Sequence, residues 1–337
     1  MTDESPPLTE FKSHPLKAKH VHEYLAALLL SSAVRALSDR QTQSLARALG
    51  HFVYHRWHSR RAICQQNLMR AFPHLTLVEV EEMTQQVFAS ASQSFLEFAR
   101  MSKFSATQLN TKVDVDPDSR ASLATRQSPV VYVSAHLGNW EYLGRWLAEN
   151  HGPIALLINP QTNPLVDRMI MKWRSHPRLF FVPYKNGWRQ LSHMLQSGIS
   201  VALLADQRLE TGGTLLPFFG HTARWSKLPA LLANKHQVPL VPIFLPRQSD
   251  QTFRLVLKQE ISPVHGADIH TEIVRLTQEY VRSCEQVVRD FPGQYLFTHN
   301  RWGIDPARLY ESSPHIHSVP ASQDMLQSSS TTPISLR

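Results

Sequence analysis

The chain has 337 residues, enough to bury a sizeable core, with 42% hydrophobic and 18% charged residues. Its 35 Lys and Arg against 27 Asp and Glu leave a net charge of +8, which favours anionic partners without choosing among phosphorylated ligands, anionic lipid, an acidic protein and nucleic acid. Two distant cysteines, Cys64 and Cys284, argue against a disulfide framework or a zinc site, and no run of about 20 apolar residues encodes an ordinary transmembrane helix.

Residues 1–15 are polar and Pro-containing and read as a flexible N-terminus. Tyr24–Leu37 is an apolar stretch preceded by Lys12, Lys17 and Lys19, and it admits two readings: a helix lying in a bilayer surface or a buried core helix. Ser38-Asp-Arg-Gln41 is a capping box that starts a second helix. This helix leads into a basic, aromatic patch from His51 to Arg61, suited to a membrane interface, to nucleic acid by the same composition, and equally to a solvated face. Pro73 stops that segment, and Thr76-Leu-Val-Glu79 caps the next helix. There Val80, Met83, Val87, Ala91, Phe95 and Phe98 form a core stripe. A polar link spans 110–127. Apolar runs at 130–134, 153–158, 179–183, 199–205 and 239–245 then alternate with helical stretches, the rhythm of an α/β fold with a mostly parallel sheet. Residues 253–257 predict an edge strand and 269–290 a helix ended by Pro292. Residues 311–337 carry eight serines and no apolar pattern, and read as a disordered tail.

His136 falls just past the carboxyl end of the first strand, where open α/β sheets place ligands and catalytic groups. Glu141 follows at a His-x4-Glu spacing. A carboxylate beside an imidazole fixes its tautomer and stabilises the imidazolium, so the pair can serve as a general base. In an unbroken helix the two would stand roughly 140° apart, so pairing needs the break that Gly138 and Asn139 supply. Taken alone, the spacing fits a structural histidine as well. Asp206 also follows a strand, where an Asp can orient a ligand, hold a cation or cap a helix. Asn163, Arg168 and Arg174 come after the strand ending near Asn159, and Arg174 offers a planar fork to phosphate or developing negative charge. Pro217-Phe-Phe-Gly220 is an apolar turn that lines a channel or plugs the core, and Arg301 closes a strand-like stretch with His299. No G-x-S-x-G elbow, nucleotide phosphate loop, zinc-ligand spacing or nucleic-acid signature is present.

In order, Asn67-Leu-x-x-Ala-Phe-Pro73, His136-Leu-Gly-Asn-Trp-Glu141, Asn163-Pro-Leu-x-Asp-Arg168 with Arg174, Asp206-Gln207, Phe218-Phe-Gly220 and Thr298-His-Asn-Arg301 resemble the bacterial lipid A biosynthesis acyltransferases, the late lauroyl and myristoyl transferases. Phosphatidylinositol mannoside acyltransferases share that core. The resemblance covers residues 20–303 and implies a fold like that of glycerolipid acyltransferases, with a membrane-associating helical segment at 16–62 and an α/β acyltransferase domain at 63–310. It implies transfer of a fatty acyl chain from an acyl carrier protein or coenzyme A thioester to a hydroxyl of a membrane glycolipid, a lipid A precursor first. His136 would be the base, Glu141 its partner, Arg174 the phosphate or oxyanion contact, and Asp206 the group orienting Arg174 or the acceptor. Asn163, Arg168 and Arg301 would support the substrate, and Phe218 and Phe219 would line the acyl channel. It further implies no cofactor or metal, no nucleic-acid partner, and a place on the cytoplasmic face of the inner membrane. Phe297 and Asn300 depart from the usual Trp and basic residue, which bears on the acceptor headgroup. Another phospholipid or mannosylated acceptor, or an inactive membrane-binding protein, are the other readings.

Overall fold

The computed structural model describes residues 17–126, 129–185 and 187–303; the segments read as loose ends, 1–15 and 311–337, lie outside them. Helices α1 (Ala18–Ala36), α2 (Asp39–Arg56) and α3 (His58–Ala71) all pack on the long α4 (Leu77–Met101). Both expected capping boxes form: the Ser38 hydroxyl accepts the Gln41 N–H, and Thr76 accepts that of Glu79. In α1, His20, Ser31 and Val34 are buried, while Val21, Leu25, Leu28 and Leu29 are exposed at i, i+4, i+7 and i+8. The helix therefore docks by one face and leaves an apolar stripe on the other. The expected core stripe of α4 holds at Val80, Val87 and Phe98, but Phe95 stands 44% exposed. The last turns also bury Ser94, Leu96 and Glu97, where later helices pack.

The span read as a polar link contains α5 (Ala106–Lys112), β1 (Val113–Asp114) and α6 (Pro117–Thr125). Ser105 and Asp116 cap its two helices, by accepting the N–H of Gln108 and of Ser119. Then come β2 (Val131–Ser134), α7 (Trp140–His151), β3 (Ile154–Ile158), α8 (Pro164–Arg174), β4 (Leu179–Pro183), α9 (Gly187–Gln196) and β5 (Ser200–Leu204). A hairpin follows, β6 (Thr214–Phe218) and β7 (His221–Trp225), then α10 (Leu228–His236) and β8 (Leu240–Phe244). Two short strands, β9 (Phe253–Arg254) and β10 (Val256–Leu257), precede α11 (Ile269–Asp290) and a 3₁₀ turn, Pro292–Gln294.

The main sheet has the order β10-β8-β2-β5-β3-β4, all parallel except the edge strand β10. The expected edge strand is split: β10 pairs with β8, while β9 pairs with β1. Alternation along the strands builds two cores. Val131, Val133, Val201 and Leu203 meet α9, α11 and the hairpin on one face. Tyr132 and Ile243 meet α7, α8 and the end of α4 on the other. Among the described residues no helix is long and apolar enough to cross a membrane.

Candidate active site

Strands β2 and β5 are parallel neighbours, with Ser134 opposite Leu204. Two residues beyond each lie His136 and Asp206, so the register itself carries them side by side at the carboxyl edge of the sheet, a place where open α/β sheets bind ligands. One carboxylate oxygen of Asp206 accepts the backbone N–H of His136 at 3.0 Å and the other lies 2.8 Å from Nδ1. Asp206 is fully inside (side chain 4% exposed), whereas the imidazole reaches the surface of the cleft (16%). The Gln207 amide nitrogen stands 3.3 Å from Nε2. These partners assign one tautomer: Nδ1–H donates to Asp206, and the Nε2 lone pair faces Gln207 and the cleft.

Burial alone would lower the basicity of His136, but Asp206 and, more weakly, Glu141 raise it above the ordinary imidazole value. Burial likewise pushes the Asp206 carboxyl up, and His136 together with Arg301 more than offsets it, holding the group below the usual carboxylate range. Tyr295, buried beside Asp206, is pushed well above the ordinary phenol value and stays neutral. His299 is pushed down to about 4 by burial, with His136, Arg301 and Arg60 adding to the effect and Asp206 opposing it. Its Nε2 accepts the Arg208 N–H at 2.9 Å and so holds the loop that follows Asp206.

The expected partner of His136, Glu141, is turned elsewhere. It binds Arg174 by two parallel bonds, Nε to Oε2 at 2.9 Å and Nη2 to Oε1 at 2.5 Å. The reason is the helix: α7 starts at Trp140, so Glu141 lies in its first turn and points toward α8. Asp206, expected to orient Arg174 or the acceptor, is the carboxylate that reaches His136. Arg174 also lies over Phe98, 5.3 Å from the ring centre.

The supporting residues divide. Asn163 is buried and structural: its carbonyl oxygen caps α8 at Leu165 and Val166, and its amide donates to the His20 carbonyl and to Glu23, tying α1 to α8. Arg168 is exposed on α8. Arg301 is 1% exposed, buried with its charge acting on Asp206. Its guanidinium lies 4.1 Å from the Trp225 ring centre and donates to the Arg224 carbonyl. Phe218 is fully buried against Trp225, Tyr295 and Trp302, and Phe219 against Phe72, so these rings fill the core rather than line a channel. The motif is a two-residue hairpin turn with φ of 52° at Phe219 and 76° at Gly220. Phe219 is held in that unusual conformation by Glu285, which accepts its N–H, and by Arg289 over its ring.

An apolar cavity of about 80 Å³ does exist, between the sheet and α7. Leu143, Gly144, Leu147, Leu156 and Ala202 line it, together with Trp140, Glu141 and Arg174. Trp140 packs edge-on against His136, with ring centres 5.0 Å apart, and so joins the cavity to the imidazole. Among the described residues no group of three or more His, Cys, Asp and Glu is placed to hold a metal. Gln207 and His299 are the site residues the sequence marks least, as neighbours within motifs only.

The chain is 25% identical over 168 residues to the phosphatidylinositol mannoside acyltransferase of Mycolicibacterium smegmatis, covering 48% of this chain and 55% of that one. It is 28% identical over 111 residues to that of Mycobacterium tuberculosis, covering 32% and 35%. The aligned stretches thus span about half or less of these relatives. The crystal structure of the 1-acyl-sn-glycerophosphate acyltransferase PlsC from Thermotoga maritima shares 14% identity over 77% of this chain and 99% of its own, with a TM-score of 0.34, too low to argue a shared fold in detail. Residues 8–303 match the bacterial lipid A biosynthesis acyltransferase family from end to end of the described fold, and the chain belongs to that family.

Proposed function

We propose that the protein moves a fatty acyl chain from an acyl carrier protein or coenzyme A thioester to a hydroxyl of a membrane glycolipid, a lipid A precursor first, with His136 and Asp206 as the working pair. The observation that carries this is the 2.8 Å contact between Nδ1 and a buried carboxylate, which leaves Nε2 as a lone pair facing the cleft. Nε2 takes the proton of the acceptor hydroxyl, and the oxygen attacks the thioester carbonyl. The tetrahedral intermediate collapses with loss of the C–S bond, and the imidazolium returns its proton to the departing thiolate. Asp206 stabilises the imidazolium throughout; general-base help of this kind is worth ~10²–10⁴-fold. Glu141 holds Arg174 with Nε and Nη2, leaving Nη1 outside the pair as a donor for an oxyanion or phosphate. The cavity behind Trp140 is the place we assign to the acyl chain.

The enzyme works as a peripheral protein on the cytoplasmic face of the inner membrane. The exposed Val21, Leu25, Leu28 and Leu29 of α1, with exposed Lys17 and Lys19 at its start, suit an anionic bilayer surface. Phe52 and Trp57 are exposed too, with Arg60 over the Trp57 ring. The net charge of +8 suits both that surface and an acidic acyl carrier. The test is lipid mass spectrometry after purified protein is incubated with acyl-carrier or coenzyme A thioesters and a panel of lipid A precursors, mannosylated inositol lipids and lysophospholipids. The reading expects a glycolipid gaining one acyl chain, lost in His136→Ala; transfer only to lysophospholipid, or equal transfer by His136→Ala, would overturn it.

A further inference from the structure

Beneath the turn that joins His136 to Glu141 lies a buried ion pair that the chemistry above does not use. Arg247, in the loop after β8, binds Glu97 of α4 by two bonds, Nε to Oε1 at 2.9 Å and Nη2 to Oε2 at 2.6 Å, with the side chains 6% and 9% exposed. Resting on the acyl-transfer reading, we propose that Glu97 and Arg247, acting through Ser94 and Asn139, are positioning residues that fix the turn Leu137–Asn139 and with it His136.

A pair this deep gives up hydration on both partners and is weak evidence for stability; its defensible use is to specify one geometry. Of its remaining hydrogen bonds, one comes from Gln93, whose amide donates to Glu97 Oε1 at 2.9 Å, and the others lead to the turn. Glu97 Oε2 accepts the Asn139 side-chain amide at 2.8 Å, and Asn139 in turn caps α7 by accepting the Tyr142 N–H. Ser94 Oγ, which receives an N–H of Arg247, donates to the Gly138 carbonyl at 2.7 Å. The backbone of Arg247 exchanges two bonds with the Gln294 side chain, and the Gln294 carbonyl accepts the Gly138 N–H. The Leu296 N–H closes the set on the His136 carbonyl. Gly138 sits at φ +62°, where an added Cβ would fall 2.1 Å from the Leu245 oxygen, so the turn has no slack on that side. An imidazole delivered by this turn must meet its carboxylate and the acceptor closely, and a misplacement of about 1 Å can cost ~10²-fold in rate.

The groups that act on His136 are Asp206 after β5 and the Gln207 amide beside it, both in contact with the ring, and, through charge alone, Glu141 on α7 and His299 in the C-terminal segment, with Arg301 acting on Asp206. None is altered in Ser94→Ala, which removes only the hydroxyl that links the ion pair to Gly138. The Glu97→Gln, Arg247→Gln double variant removes both charges and leaves neither unpaired. The ring titration of His136 is followed by NMR in each variant that keeps the wild-type near-ultraviolet circular dichroism. The proposal expects the midpoint to move down toward the ordinary ~6.5. It also expects kcat to fall ~10-fold with KM for the acyl donor changed less than ~2-fold, the mark of lost positioning rather than lost binding. An unmoved midpoint in the folded variants overturns it. The titration needs no substrate, so it decides this proposal even if the wild-type protein transfers no acyl group, a result that would overturn the functional reading alone.

Discussion

At the scale of single residues, the site works by placing two histidines in opposite electrostatic settings. His136 is raised by Asp206 and Glu141 despite its burial, whereas His299 is driven down to about 4 by burial and nearby cations. The consequences for stability have opposite signs. The contribution of His136 is present in full below the ordinary imidazole value of ~6.5 and is lost as pH rises through its higher folded value. That of His299 is present above ~6.5 and is lost as pH falls toward about 4, because the unfolded chain takes up the proton first. Urea denaturation of His299→Gln should therefore show a shallower loss of stability than the wild type between these limits; equal slopes would show that His299 is not the titrating group. Arg301 also belongs to this scale. The sequence marks it as a cation near the end of the fold, and only the structure shows it buried with its charge holding the Asp206 carboxyl down.

At the scale of elements, the turn after β2 and the helix α1 carry separate predictions. Gly138→Ala forces a side chain into the Leu245 carbonyl at a positive φ, with a backbone cost of roughly 1–3 kcal/mol before the clash is counted. Its thermal midpoint should fall and its activity with it; a variant as stable as wild type would mean the turn is looser than described. Leu25→Glu with Leu29→Glu alters only the exposed stripe of α1, so folding should be unchanged while sedimentation with anionic vesicles is lost. Undiminished sedimentation would remove the membrane role of this helix. Much of this scale is legible in the sequence. The boxes at Ser38 and Thr76 announce their helices, and five apolar runs announce the parallel strands. The turn at Pro217-Phe-Phe-Gly220 is legible as a turn, but its positive φ at Phe219 is not, since that contradicts local preference and is upheld by Glu285 and Arg289 from a helix far along the chain.

At the scale of the whole molecule, what the chain order conceals is adjacency. His136 and Glu141 are close in sequence, so the spacing suggests a pair; His136 and Asp206 are 70 residues apart and are joined only because β5 is inserted beside β2. The same sheet and α7 enclose the cavity, where Gly144 lies close against Leu156, an added Cβ falling 3.2 Å from Leu156 Cδ1. Gly144→Leu should fill part of it and shift the preferred donor toward shorter acyl chains in a competition between thioesters of different length. An unchanged preference would place the chain elsewhere. The most direct test of the central claim, that His136 and Asp206 together drive acyl transfer, is the pH profile of kcat/KM for wild type and Asp206→Asn under one set of donor and acceptor. The account predicts a rate lower by ~10²–10⁴-fold in the variant, with the acid limb displaced to lower pH because the imidazole has lost the carboxylate that raises it. A variant with wild-type rate and an unmoved acid limb would contradict it.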